Sequence, residues 1–160
     1  MIQALFRLWD VCIFRAGPGD LPRSYYFLVL VVVFSYAVDL LLTQLILPEL
    51  MPYWYYRPLL WFVVLGVILY GILAFRSVPL RFLQTYIALN GTALYLSLIG
   101  LVLCTFFVSL TGVILLALLA WQVVIHGRII TLAIQTKRWV GVLIALSIVM
   151  IMNLLATAIA

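Results

Sequence analysis

Only four carboxylates, Asp10, Asp20, Asp39 and Glu49, are available in this chain for acid–base chemistry, and general acid–base catalysis uses such groups in facing pairs. Three of them flank long apolar runs, whereas Asp39 stands alone inside one. The single histidine, His126, cannot build a metal site with Cys12 and Cys104, because the spans derived below put the two cysteines near opposite membrane faces. The same separation argues against a disulfide between them. No glycine-rich phosphate loop, serine nucleophile elbow or HExxH box occurs. These residue types point to a protein that is not an enzyme, with no cofactor and no metal.

Asp39 has the clearest claim to a role. A carboxylate inside an apolar span costs about 2.5–3.5 kcal/mol on insertion scales, so it faces protein or a cavity rather than lipid. Counted from the basic end of each run, Asp39, Ser97 and Asn153 all lie about 15 residues in, a depth of about 22 Å at 1.5 Å per residue. This register predicts a shared intramembrane polar layer. Read structurally, it is interhelical hydrogen bonding worth about 0.6–2 kcal/mol per bond, which the sequence favours. Read functionally, it is an ion or proton site. A second pattern runs through Tyr86, Asn90, Ala93, Ser97, Gly100 and Cys104 at alternating spacings of four and three. Its core of Asn90, Ala93, Ser97 and Gly100 reads as a helix-packing stripe, and Gly141 with Ala145 does the same further on. Asn90-Gly91-Thr92 matches a glycosylation sequon but sits inside an apolar run, so it is discounted.

The elements that must position these groups follow from composition. With 69% hydrophobic and 8% charged residues, the chain lies far outside soluble globular usage. The fold class expected is an all-α integral membrane protein, with five transmembrane helices preceded by a short cytoplasmic amphipathic interfacial helix. Residues 24–47 form the first span, ended by Pro48 and Pro52. The cluster Tyr53, Trp54, Tyr55, Tyr56 and Arg57 reads as an aromatic belt before a second span at 59–75. Arg76 to Arg81, with Pro79, separates it from a third at 82–105. The long run that follows must turn once, near Phe107 to Thr111, where Ser109, Thr111 and Gly112 are the best breakers, giving spans at 112–132 and, after Lys137 and Arg138, at 139–159.

Five crossings put Arg7, Arg15, Arg23, Arg76, Arg81, Arg128, Lys137 and Arg138 on one side and Arg57 on the other. Basic loops stay in the cytoplasm, so the N-terminus is read as cytoplasmic and the C-terminus as outside. The net charge of +5 is thus a topology signal, and its scatter argues against a nucleic-acid partner.

Residues 1–23 form a separate unit ahead of the membrane domain at 24–160. Ile2, Leu5, Trp9, Cys12 and Ala16 fall on one helical face and Gln3, Arg7 and Asp10 on the other, with Val11 and Phe14 breaking the pattern. Arg7, Asp10 and Arg15 interrupt the segment too often for a cleaved signal peptide. A breaker from Gly17 to Pro22 closes it. Trp9, Trp54, Arg57, His126 and Arg128 are read as interfacial residues, with Gln122 and His126 sharing a face near the cytoplasmic end of the fourth span.

The stretch Trp121 to Arg128, then Lys137-Arg138 and a last apolar span, resembles the pattern before the final helix of bacterial Yip-domain (Ypt-interacting protein) members. Five close-set spans with tiny loops after a cytoplasmic lead-in resemble the same family. The resemblance implies a compact bacterial-type member in the inner (cytoplasmic) membrane. It implies no GTPase-binding role, because the longer N-terminal region with which eukaryotic members engage prenylated GTPases is missing here. The function expected is that of a scaffold, assembly factor or accessory subunit, with membrane lipids, other membrane proteins or a second copy as partners. The alternative is a small transporter or channel subunit using the Asp39 layer.

Overall fold

The computed structural model describes residues 2–46 and 56–159, and the side chains of residues 3–45 and 58–155. Within them the chain is helical almost throughout and has no strand. The helices are α1 (Ile2–Cys12), α2 (Tyr25–Ile46), α3 (Tyr56–Phe75), α4 (Phe82–Phe106), α5 (Thr111–Ile134) and α6 (Arg138–Ile159). The last five are long and apolar enough to cross a bilayer. Single 3-10 turns at Pro18–Asp20, Pro79–Arg81 and Val108–Leu110 join the elements.

Local sequence explains the boundaries. The Ser24 hydroxyl accepts the Phe27 N–H at 3.3 Å and so caps α2. Pro58 sits in the first turn of α3, where a missing N–H costs nothing. At the C-terminal ends of α1, α3 and α5 the chain reverses through a left-handed residue, Phe14 (φ 65), Ser77 (φ 58) and Gln135 (φ 52). In each case the next N–H reaches five residues back, as Arg15 to Asp10, Val78 to Leu73 and Thr136 to Thr131. Glycine is the usual occupant of such a position, and an aromatic there costs about 1 kcal/mol or more. The loops therefore end tightly, and the strain at Phe14 calls for a compensating contact.

The bundle packs α5 against α6 and α2 against α4 most intimately. At the first crossing a Cβ on Gly127 would lie 2.7 Å from the Val142 Cα, and one on Gly141 would strike the Thr131 hydroxyl and the Gly127 carbonyl. Only glycine permits backbones this close. Leu65, Leu69 and Leu73 of α3, Ile87 and Leu89 of α4, and Ile125 and Ile129 of α5 fill the interior. The outward face is just as apolar: Val29, Val33, Val63, Val67, Val113, Leu116, Leu143 and Met150 are all more than half exposed. Apolar patches this continuous do not face water on monomeric soluble proteins.

Helix α1 is a strap laid across α4 and α5. Leu5 gives its carbonyl to the Tyr95 hydroxyl at 3.0 Å on α4, while Phe14, just past the helix, packs on Trp121 of α5 with ring centroids 5.5 Å apart. Leu8 is fully buried in a socket over Gly91. Leu8, Val11 and Cys12 are buried with Ala4, Leu5 and Ala16 packed against the core, so of the stripe read from sequence Leu5, Cys12 and Ala16 lie on the packed side, Trp9 does not, and the Ile2 side chain lies outside the described residues. Val11, which spoiled that pattern, is buried, and Trp9 is 42% exposed. The cause is the Gly91 socket, which selects Leu8 as the central contact and rotates the helix about it.

Candidate functional site

Counting along the helices brings residues of all five long helices to one level. Asp39 is 14 residues from Tyr25, and Ser97 and Asn153 are each 15 from the starts of α4 and α6, so all lie about 21–23 Å from the end of the bundle that carries the basic residues. At that level a half-open cleft of about 320 Å³ is lined by Asp39 and Thr43 of α2, Trp61 of α3, Ala93 and Ser97 of α4, Gln122 of α5 and Asn153 of α6, among others.

The Ser97 hydroxyl donates to Asp39 Oδ1 at 2.7 Å, joining α2 to α4. An interhelical hydrogen bond of this kind is worth about 0.6–2 kcal/mol. Thr43 returns its hydroxyl to the Asp39 carbonyl at 2.7 Å, and the Asn153 amide donates to the Val149 carbonyl at 2.9 Å. The three residues expected to share a layer thus line one cavity, although only Asp39 and Ser97 are joined directly among the hydrogen bonds described. Of the packing stripe, Asn90 and Gly100 are buried, with the Leu118 side chain 3.1 Å from where a Gly100 Cβ would be, while Ala93 and Ser97 face the cleft.

Asp39 is the one ionisable side chain among the described lining residues. Its carboxyl shares the cleft wall with the Thr43 and Ser97 hydroxyls, the Gln122 and Asn153 amides and the Trp61 indole. Such a set can bind a cation or a hydrogen-bond donor.

Between the cleft and the basic end the interior is closed. Asn90 donates to the Tyr86 carbonyl at 2.8 Å, Ser35 to the Asn90 carbonyl at 3.3 Å, and the Tyr86 hydroxyl to the Phe62 carbonyl at 2.7 Å. His126 Nε2 lies 3.2 Å from the Leu89 carbonyl. This histidine is 4% exposed, so the structure corrects its interfacial placement. Its position near the helix end was read correctly along the axis, but it points inward to α4. The Asn90 Oδ1 atom is buried without a hydrogen-bond partner among the described residues.

The remaining interfacial residues divide. Trp9 is partly exposed and leans on Tyr95 with centroids 5.8 Å apart. The Arg128 guanidinium carbon sits 5.0 Å from the Phe14 ring centroid. Trp54 and the Arg57 side chain lie outside the described residues, as does the belt around them. Cys12 and Cys104 are both buried and free. Burial pushes the Cys12 thiol up to about 12 from its usual value of 9.0.

Sequence reasoning missed Gln84 and Arg81. Gln84 Nε2 donates to the Gly19 and Leu21 carbonyls at 3.1 and 2.7 Å, and its Oε1 accepts from Arg23 Nε at 3.1 Å, so it pins the α1–α2 connection to α4. Arg81 donates to the Leu132 and Ala133 carbonyls at 3.4 and 3.1 Å, capping the end of α5. The available signal was a glutamine two residues into an apolar run, facing a breaker rich in carbonyls. The chain matches no protein-family model, no curated protein and no solved structure.

Proposed function

We propose that the chain is a non-enzymatic integral protein of the bacterial inner membrane that takes up a small cationic or polar solute, as a small transporter or channel subunit. The observation that carries this is Asp39 set in a cleft to which all five long helices contribute. A carboxylate is costly in hydrocarbon and is retained where it meets protein or an aqueous cavity. Positive-inside topology supports a cytoplasmic basic end and an outer C-terminus, because Arg23, Arg76, Arg81, Lys137 and Arg138 all flank helix ends at that end. The cleft then lies in the outer half of the bilayer, with the closed half toward the cytoplasm.

Helix α1 is the amphipathic interfacial element of this arrangement. One side packs on the bundle, a second shows exposed Phe6 and Trp9, and a third carries Gln3, Arg7 and Asp10. Three sides of this kind suit a helix flanked by protein, acyl chains and water.

The test is flux of protons and monovalent cations into proteoliposomes. Wild-type protein should raise the flux above that of empty vesicles, and Asp39→Asn should abolish the rise while thermal unfolding in detergent falls by no more than a few degrees. Undiminished flux in Asp39→Asn would refute the reading.

The scaffold or accessory-subunit reading rests on a different observation, the short Ser97–Asp39 bond, which gives the carboxylate a purely structural use. It predicts vesicles no leakier than empty ones and a stable membrane-protein partner, or self-association, on pull-down from native membranes.

A further inference from the structure

Trp121, Val124, Arg128 and Leu132 recur at helical spacing and form one outward stripe of α5. Trp121 is 47%, Val124 46% and Leu132 43% exposed, so Arg128 interrupts a face that is otherwise apolar. It lies six residues inside the basic end of α5, about 9 Å by helical rise, the depth at which headgroups meet acyl chains. Phe14 explains how it is held. Its backbone is in the left-handed region, which an aromatic residue enters only under constraint, and its ring is wedged between Trp121 and Arg128. The guanidinium lies over the ring face, and among the described residues no hydrogen bond or ion pair engages its N–H groups. Arg15, the next residue after Phe14, is exposed and equally without an acceptor among them.

We infer that Arg128 and Arg15 bind the phosphodiester of an anionic phospholipid of the cytoplasmic leaflet, with an acyl chain along Val124 and Trp121. Two cations, one resting on the Phe14 ring and the other the next residue along the chain, match a phosphate, and the apolar stripe that continues toward mid-membrane matches a chain attached to it. A zwitterionic headgroup brings its own cation to the same place and loses the advantage. Phe14 is the positioning residue, since its ring lies under the guanidinium. The inference rests on the membrane reading but not on the use of the cleft.

The experiment is native mass spectrometry of the full chain released from nanodiscs holding equal amounts of phosphatidylglycerol and phosphatidylcholine. Retained phosphatidylglycerol should exceed phosphatidylcholine, and the preference should fall about fivefold for each of Arg128→Gln and Arg15→Gln, the share of one basic residue near an anionic surface. Phe14→Gly, which relieves the backbone and removes the ring, should weaken the preference without lowering thermal stability. Equal retention of the two lipids by wild-type protein, or an unchanged preference in the double variant, overturns the proposal. Displacement of the lipid by millimolar inorganic phosphate also overturns it, since the site would then be one for a free anion. A chain that stays dispersed without detergent or lipid would overturn the membrane reading, an outcome seen before any lipid is compared.

Discussion

The socket between Leu8 and Gly91 offers a test of the strap in which sign and size both follow from contacts. A Cβ built on Gly91 falls 2.5 and 2.7 Å from the two Leu8 methyl carbons and 3.1 Å from its Cγ, and Leu8 has no exposed surface into which to swing. Gly91→Ala should therefore overpack the joint and cost about 1–3 kcal/mol. Leu8→Ala leaves a cavity at the same spot and should cost about 2–4 kcal/mol. In the double variant the new methyl enters the vacated space, so the two costs should not add, and the coupling should reach about 1 kcal/mol or more in the favourable direction. Hydrogen exchange of α1 amides in detergent or nanodiscs reads the free energy of strap release for all four proteins. Additive costs within about 0.3–0.5 kcal/mol would mean that Leu8 and Gly91 do not meet as described, and the docking of α1 would have to be abandoned.

Other consequences follow from the same geometry. Gly141→Ala should destabilise the α5–α6 pair by more than about 3 kcal/mol, because the added methyl meets backbone that cannot rotate away, and the midpoint of thermal unfolding in detergent should drop accordingly. The raised Cys12 thiol should be unreactive toward a soluble disulfide reagent at pH 8 in the folded protein and should react on unfolding in dodecyl sulfate. Since its folded pKa lies above the usual 9.0, the neutral thiol favours docking below pH 9, and that contribution is lost as pH rises toward about 12, which exchange of α1 amides against pH would record. Gln84→Leu should free the α1–α2 connection by removing acceptor and donor contacts together, and proteolysis near Gly19 should accelerate.

The sequence made depth legible and azimuth illegible. Prolines, arginines and the lone stretch of Ser109 to Gly112 punctuate the apolar runs, so five long helices and the level of Asp39, Ser97 and Asn153 could be read by counting. Which side of each helix faces inward could not, because the outer valines and leucines of α2, α3 and α5 are as apolar as Leu65 or Ile129 inside. Water on one side is what gives an ordinary helix its readable face, and among the six helices only α1 sets a polar side, Gln3, Arg7 and Asp10, against an apolar one. Even there the packed side was read only in part: Leu5, Cys12 and Ala16 lie on it, but its central contact is Leu8, whose position is set by a glycine more than eighty residues away. His126 shows the same limit: its level was legible, its inward direction was not. Gln84 and Arg81 were missed because their partners are main-chain carbonyls, which no side-chain pattern announces.

Polar groups are spent differently in the two halves of the bundle, and that asymmetry links the fold to its use. Toward the basic end His126, Tyr86 and Ser35 each meet a main-chain carbonyl of a neighbouring helix, Gln84 bonds the chain ahead of α2, Gly91 seats the Leu8 side chain, and Gly127 and Gly141 draw the α5 and α6 backbones together. A half built in this way is stiff, because every polar group released by a movement would be left unpaired in an apolar interior. In the other half the helices separate around the cleft, and Asp39, Thr43, Ser97, Gln122 and Asn153 line open space. Under the proposed transport reading, a solute entering there would meet fixed walls on the closed side, so movement coupled to its binding would fall to the outer halves of α2, α3 and α6, where Ser97 to Asp39 is the one side-chain hydrogen bond between two helices among those described. Ser97→Ala, which cuts that bond without touching the closed half, should therefore raise hydrogen exchange in the second half of α2 while leaving α4 protection near Tyr86 and Asn90 unchanged. Loosening that spread evenly through both halves would show that the bundle yields as one body.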